Sequence, residues 1–192
     1  MAKATKERVA ERVKECVARY GRAPHLAVIL VGEDPASQSY VKSKGKDAEQ
    51  VGFKSTTIRM PEATTEKELL DEINRLNEDP EVDGILVQLP VPKHIDEDRV
   101  IEAISAEKDV DGFHPRNVAA LWQKRPCIAP CTPKGIMKML DEHNVEIEGK
   151  TAVVIGRSNI VGLPMAKMLL DRNATVTMAH SRTRNLPEPE YQ

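Results

Sequence analysis

Residues 26–31 read Leu-Ala-Val-Ile-Leu-Val, a run without a single polar side chain. Pro24 precedes it and Gly32-Glu33-Asp34-Pro35 follows it. A run of that length and composition suits a strand buried on both faces, the setting of a parallel sheet covered by helices. The turn behind it carries its own helix-start signal, with Asp34 as N-cap and Pro35 at the first helical position. One strand of this kind already asks for a layered α/β architecture.

The remaining punctuation agrees. Residues 3–19 place Val9, Val13, Cys16 and Val17 at helical spacing, and Gly21 and Pro24 end that helix. The helix opened at Pro35 runs to about Gln50, and Gly52 closes it. Residues 54–59 alternate like a strand. Thr64 or Thr65 caps a helix reaching about Asn77, with Leu69, Leu70, Ile73 and Leu76 inward. Residues 85–89 form a third strand stopped by Pro90 and Pro92, and 96–104 a short helix. A loop rich in acids and turn residues follows at 108–115, and 119–122 add a helical turn. Thr132 and Pro133 then read as cap and first position of a helix running to about His143. Residues 150–155 and 174–178 are strands flanking a helix at 164–171, and 186–192 read as an unpacked tail. The order is α, βαβαβα, a connection, then αβαβ. It implies two α/β domains, 1–115 and 116–192, with a cleft between them.

Composition narrows the function class. Of 192 residues, 30% are charged and 40% hydrophobic, so the chain should be soluble and globular. The net charge of -2, without any block of like charge, argues against nucleic-acid binding through a basic face. No apolar run is long enough to span a bilayer, and no apolar segment marks an export signal. Three cysteines, Cys16, Cys127 and Cys131, are an odd count, which points to reduced thiols in the cytoplasm. Cys127 and Cys131 lack a second pair of ligands, so no metal site is expected.

Four stretches can carry chemistry. On the second helix Tyr40 and Lys44 lie four residues apart, which stacks a phenol and an ammonium on one face. A lysine so placed can trade protons with a reacting group when burial lowers its pKa; the same spacing is common on solvated surfaces. Gln88 puts an amide at the end of an apolar strand, where it needs a partner if buried, and Lys44 is a candidate. Asp109 and Asp111 can each cap a turn or accept N–H groups from a heterocycle. Last, Gly156-Arg157-Ser158-Asn159-Ile160-Val161-Gly162 lies between a strand and a helix, where backbone N–H groups can face a pyrophosphate. Its spacing is not G-x-G-x-x-G, and a plain tight turn reads equally well. The following strand ends in His180-Ser181-Arg182 rather than in an acid. With Arg157, this favours a 2′-phosphate, and so NADP over NAD.

Taken together these segments resemble the bifunctional methylenetetrahydrofolate dehydrogenase / methenyltetrahydrofolate cyclohydrolase family. The matching text runs VGEDPASQSYVKSK at 31–44, DGILVQLP at 83–90, KDVDGFHP at 108–115, PCTPKG at 130–135, VIGRSNIVGLP at 154–164 and HSRT at 180–183. The resemblance implies a folate-binding catalytic domain followed by an incomplete Rossmann-like NAD(P)-binding domain. It assigns Lys44 as the catalytic lysine, Tyr40 as the ring that packs on the folate, Gln88 as the lysine's partner and Asp111 as the pterin anchor. It assigns Gly156, Arg157 and Ser158 to the cofactor loop, and Ser181 and Arg182 to the 2′-phosphate region. It implies NADP-dependent oxidation of 5,10-methylenetetrahydrofolate to methenyltetrahydrofolate and hydrolysis of the latter to 10-formyltetrahydrofolate, by a cytoplasmic homodimer. The family's chain is longer. Its remaining sheet strands, a late glycine-rich loop and a final helix have no counterpart here. The expectation is therefore either an enzyme completed by a dimer partner, or a truncated folate-binding or dimerisation module without dehydrogenase activity.

Overall fold

The computed structural model of the chain describes residues 2–184, and the tail expected at 186–192 lies outside them. The chain separates into two compact units, Met1–Val110 and Asp111–Gln192. The junction expected at Pro115 is the first residue of a helix in the second unit.

The first unit contains α1 (Ala2–Tyr20), β1 (His25–Val31), α2 (Pro35–Gln50), β2 (Lys54–Met60), α3 (Glu66–Glu78), β3 (Gly84–Val87) and α4 (Glu97–Ala103). The sheet order is β2-β1-β3, with both pairings parallel. β1 lies in the middle, and its residues Ala27 to Val31 are at most 5% exposed. Successive side chains of a strand point to opposite faces. Ala27, Ile29 and Val31 accordingly join Leu69, Ile73 and Leu76 of α3 and Val100 of α4. Val28 and Leu30 face the other way, onto Val41 of α2 and Leu86 of β3. The apolar run is apolar throughout because both of its faces are covered.

Caps hold the helices in place. The Asp34 carboxylate accepts the Ser37 N–H at 2.7 Å, which keeps its carboxyl below the usual range. Of the two threonines offered by the sequence, Thr65 is the cap of α3, in a reciprocal box with Glu68. At the other end of α3, the Lys108 ammonium donates to the carbonyls of Leu76 and Asp79 at 2.9 and 2.7 Å. A cation there satisfies orphan carbonyls at the negative end of the helix dipole.

β3 is shorter than expected, ending at Val87 rather than Leu89. The Gln88 N–H still donates to the Ile29 carbonyl at 2.9 Å. Register pairing stops at Ile29↔Val87, so β1 runs on past the end of β3. Pro90, joined to Leu89 by a cis peptide bond, has no N–H to extend the ladder.

The second unit contains α5 (Pro115–Trp122), α6 (Cys131–Glu142), β4 (Thr151–Ile155), α7 (Gly162–Asp171) and β5 (Thr175–Ala179), with β4 and β5 parallel. α6 starts earlier than expected. Pro130 occupies the cap position without any side-chain bond, and Thr132 lies inside the first turn. Pro133 is tolerated there because first-turn N–H groups have no intrahelical acceptor to lose. α5 is longer than the single turn expected: the His114 ring caps it by accepting the Arg116 N–H at 3.1 Å. Ala152, Val154 and Val176 pack with Met137 of α6 and with Met165 and Leu169 of α7. The opposite face carries Val153 and Ile155, which are 62% and 72% exposed.

A buried cation pins α5 to α7. Lys167 is 3% exposed and is ion-paired with Asp171 one turn further along α7. Its ammonium stands 6.0 Å from the Trp122 ring centroid. Lys124 reaches Asp171 as well, at 3.2 Å. Burial pushes the Asp171 carboxyl up, but the two lysines outweigh it and leave it below the ordinary carboxylate range.

Candidate functional site

In the first unit the candidate residues gather where β3 stops. α2 returns along the sheet from the cap at Asp34, and Val41 anchors its inner face at 1% exposure. That burial fixes the helix rotation. It leaves Tyr40 outward, 63% exposed, and Lys44 half-buried on the same side one turn on. The Lys44 ammonium donates to the Gln88 side-chain oxygen at 3.2 Å. The Gln88 amide nitrogen donates in turn to the Leu89 carbonyl at 2.7 Å. Both ends of the amide are therefore committed, and the oxygen is held toward the lysine. An amine in this setting keeps further protons and directions for a reacting group.

Among the acids, Asp109 is 3% exposed and pairs with Ile85 as an isolated parallel bridge beside β3. Asp111 is half-buried and is the first residue of the second unit. Among the described residues no cluster of His, Cys, Asp and Glu could hold a metal ion. Neither Cys127 nor Cys131 is in a disulfide; the first is half-buried and the second exposed, and burial pushes the Cys127 thiol up. No helix among the described residues is long and apolar enough to cross a membrane.

In the second unit the β4-to-α7 turn is built around two glycines. The Gly156 N–H donates to the Ala179 carbonyl at 2.7 Å, tying the turn to the end of β5. Its φ of 128° is one that glycine adopts readily. A Cβ on Gly162 would stand 2.5 Å from the Gly156 oxygen, so the helix can approach the turn only as glycine.

Ser158 closes the first turn of α7. Its hydroxyl accepts the N–H groups of Val161 and Gly162 at 3.2 and 3.3 Å, and its carbonyl accepts that of Leu163 at 3.0 Å. Pro164 has no N–H. The N-terminal donors of α7 are thus satisfied within the turn. Among the described residues, the peptide N–H groups ahead of them, from Arg157 to Ile160, meet no backbone acceptor and can face an anion. The Arg157 side chain is exposed beside them. A cavity of about 380 Å³ lies against the turn, lined by Ile155, Gly156, Ser158, Gly162 and Met165 among others.

At the end of β5, Ser181 and Arg182 are exposed on a tight turn. The Thr183 hydroxyl accepts the His180 N–H at 2.8 Å, and the Arg182 N–H donates to His180 Nδ1 at 3.2 Å. Sequence reasoning named Gly162, His180 and Thr183 only as parts of their stretches and gave none of them a role of its own. For Gly162 a signal was present, a second glycine at the strand-to-helix junction. For the turn at 180–183, which holds neither glycine nor proline, the sequence pointed to Ser181 and Arg182 but not to the bonds that close the turn.

Comparison with known proteins places these features. Residues 1–111 match the model of the tetrahydrofolate dehydrogenase/cyclohydrolase catalytic domain, and residues 130–191 that of the corresponding NAD(P)-binding domain. The chain is similar to the bifunctional protein FolD of Streptococcus agalactiae, at 58% identity over 181 residues. That match takes in 94% of this chain and 63% of the relative, so the chain spans less than two thirds of that protein's length. Among solved structures it is similar to the bifunctional enzyme FolD of Campylobacter jejuni, with a TM-score of 0.88 and 50% identity over 94% of this chain and 66% of that one. It is similar also to the Trypanosoma brucei methylenetetrahydrofolate dehydrogenase-cyclohydrolase (FolD) complexed with NADP cofactor and inhibitor. There the TM-score is 0.91 at 41% identity, over 95% of this chain and 63% of that one.

Proposed function

Because the chain belongs to the tetrahydrofolate dehydrogenase/cyclohydrolase family, we propose that it takes part in interconverting one-carbon tetrahydrofolates. The reactions are NADP-dependent oxidation of 5,10-methylenetetrahydrofolate and hydrolysis of the methenyl product to 10-formyltetrahydrofolate. The folate side falls to the first unit and the cofactor side to the second, in a cytoplasmic homodimer without nucleic-acid or membrane partners. The observation that carries the reading is the half-buried Lys44 held on the Gln88 amide oxygen.

Hydrolysis of a methenyl cation needs a proton removed from the attacking water and another delivered to the departing ring nitrogen. Lys44 is the group that moves them. Gln88 keeps its ammonium from swinging into solvent, and Tyr40 offers a ring face for the pterin. By resemblance to the family, Asp111 is assigned to the N–H groups of a pterin.

The second unit's residues fit a phosphorylated dinucleotide. Open peptide N–H groups from Arg157 to Ile160 suit a pyrophosphate, with Gly156, Arg157 and Ser158 forming the turn. Arg157, Ser181 and Arg182 suit a 2′-phosphate. A dinucleotide held by these residues would supply, in its nicotinamide, the acceptor for the hydride that leaves the methylene bridge. The chain's own part in that step is to bind each ring and restrict its orientation.

Replacing Lys44 by methionine tests the reading. Loss of methenyltetrahydrofolate absorbance should cease while NADP binding, measured by calorimetry, stays at the parent value. Hydrolysis at the parent rate in that variant would remove the lysine from the mechanism. Hydrolysis by the parent chain without NADP-dependent oxidation would assign it the cyclohydrolase step alone.

A further inference from the structure

We propose that Thr183 is a positioning residue that sets the turn carrying Ser181 and Arg182, and through it the preference for a 2′-phosphorylated adenosine. The proposal rests on the NADP reading for what those two side chains meet. Among the described residues three hydrogen bonds surround His180. The Thr183 hydroxyl accepts the His180 N–H at 2.8 Å. The Thr183 N–H donates to the His180 carbonyl at 2.8 Å. The Arg182 N–H donates to His180 Nδ1 at 3.2 Å.

The first two bonds are reciprocal and close residues 180–183 into one ring directly behind β5. The third requires a lone pair on Nδ1, so the neutral imidazole carries its proton on Nε2. The segment itself contains neither glycine nor proline to set a turn. The Thr183 hydroxyl therefore supplies what turn residues supply elsewhere.

The consequence falls on an exposed, flexible arginine. Holding its peptide plane before the ligand arrives lowers the ordering cost of binding, which is otherwise taken from affinity. Only a ligand bearing a charge at the ribose 2′ position gains from that. A ligand without it meets the rest of the site unchanged.

The test measures calorimetric binding of adenosine 2′,5′-bisphosphate and of AMP to the full chain. Thr183→Val, Thr183→Ser and Arg182→Ala are compared with the parent. The valine is close in shape but leaves the His180 N–H without its acceptor. It should weaken the bisphosphate by roughly tenfold, the scale of one lost hydrogen bond, and leave AMP within about twofold. Serine keeps the hydroxyl and should restore the parent ratio, and Arg182→Ala should abolish the preference. An unchanged ratio in Thr183→Val, with the ratio collapsed in Arg182→Ala, overturns the positioning role and leaves the NADP reading standing. Equal weakening of both ligands in Thr183→Val also overturns it, since that marks a general structural role. An absence of preference in the parent defeats the NADP reading and the proposal with it, whereas no effect of Arg182→Ala overturns the proposal alone, because Arg157 and Ser181 are assigned to the same phosphate.

Discussion

Gly162→Ala probes the cofactor turn through backbone alone. The added Cβ would lie 2.5 Å from the Gly156 oxygen, 2.7 Å from its carbonyl carbon and 2.8 Å from the Arg157 nitrogen. Cβ atoms essentially never make contacts under 3.0 Å, and all three neighbours are main chain, so no side chain can rotate away. The shortest contact must open from 2.5 to 3.0 Å, a shift of about 0.5 Å between α7 and the turn. The Arg157 N–H, one of the donors left open to an anion, moves with it. A hydrogen bond of about 2.9 Å stretched by that amount leaves the useful range. One bond lost to a charged acceptor costs about 1.5–3 kcal/mol, roughly 10- to 150-fold in Kd. Overpacking of this kind also lowers stability by about 1–3 kcal/mol. Calorimetric titration with NADP, alongside a urea unfolding curve of the same preparation, reads both quantities. An alanine variant that binds NADP as tightly as the parent refutes the assigned role of the turn. One that unfolds earlier yet binds normally confines Gly162 to packing.

Asp171→Asn should destabilise the second unit by about 3 kcal/mol, because it strands the ammonium of Lys167 in a side chain only 4% exposed. Pairing Lys167→Met with Asp171→Leu should return most of that loss, and urea midpoints of the two variants measure it. Equal midpoints for Asp171→Asn and the parent would show that the lysine does not need its partner. The Asp83 carboxyl is held below its usual range chiefly by the Arg22 guanidinium at 2.6 Å, against the opposing push of burial. A depressed folded-state pKa contributes stability present above the unfolded value of about 3.9 and lost as pH falls through the folded value. Arg22→Ala should therefore lower stability at pH 7 and lose that effect progressively below about pH 4, measured by urea unfolding across pH. A deficit that stays constant down to pH 2 would count against the linkage.

The sequence by itself determined what depends on neighbours a few residues apart. Burial of residues 27–31 on both faces was legible because an uninterrupted apolar strand has no side to give to water. The start of α2 was legible because Asp34 and Pro35 satisfy and pre-set a helix terminus locally. The start of α6 was misjudged for a related reason: Thr132 and Pro133 suit the first turn as well as the cap, and local preference does not separate positions two residues apart. Tertiary structure alone decided the rest. Where β3 ends depends on its register with β1, and with it the position of Gln88. The bond from Lys44 to Gln88 joins residues 44 apart in the chain, a distance over which no periodicity speaks. Which N–H groups of the β4-to-α7 turn stay open depends on where the Ser158 hydroxyl comes to rest. Gly162 is required because two stretches of backbone meet there, and that approach exists only once strand and helix have packed.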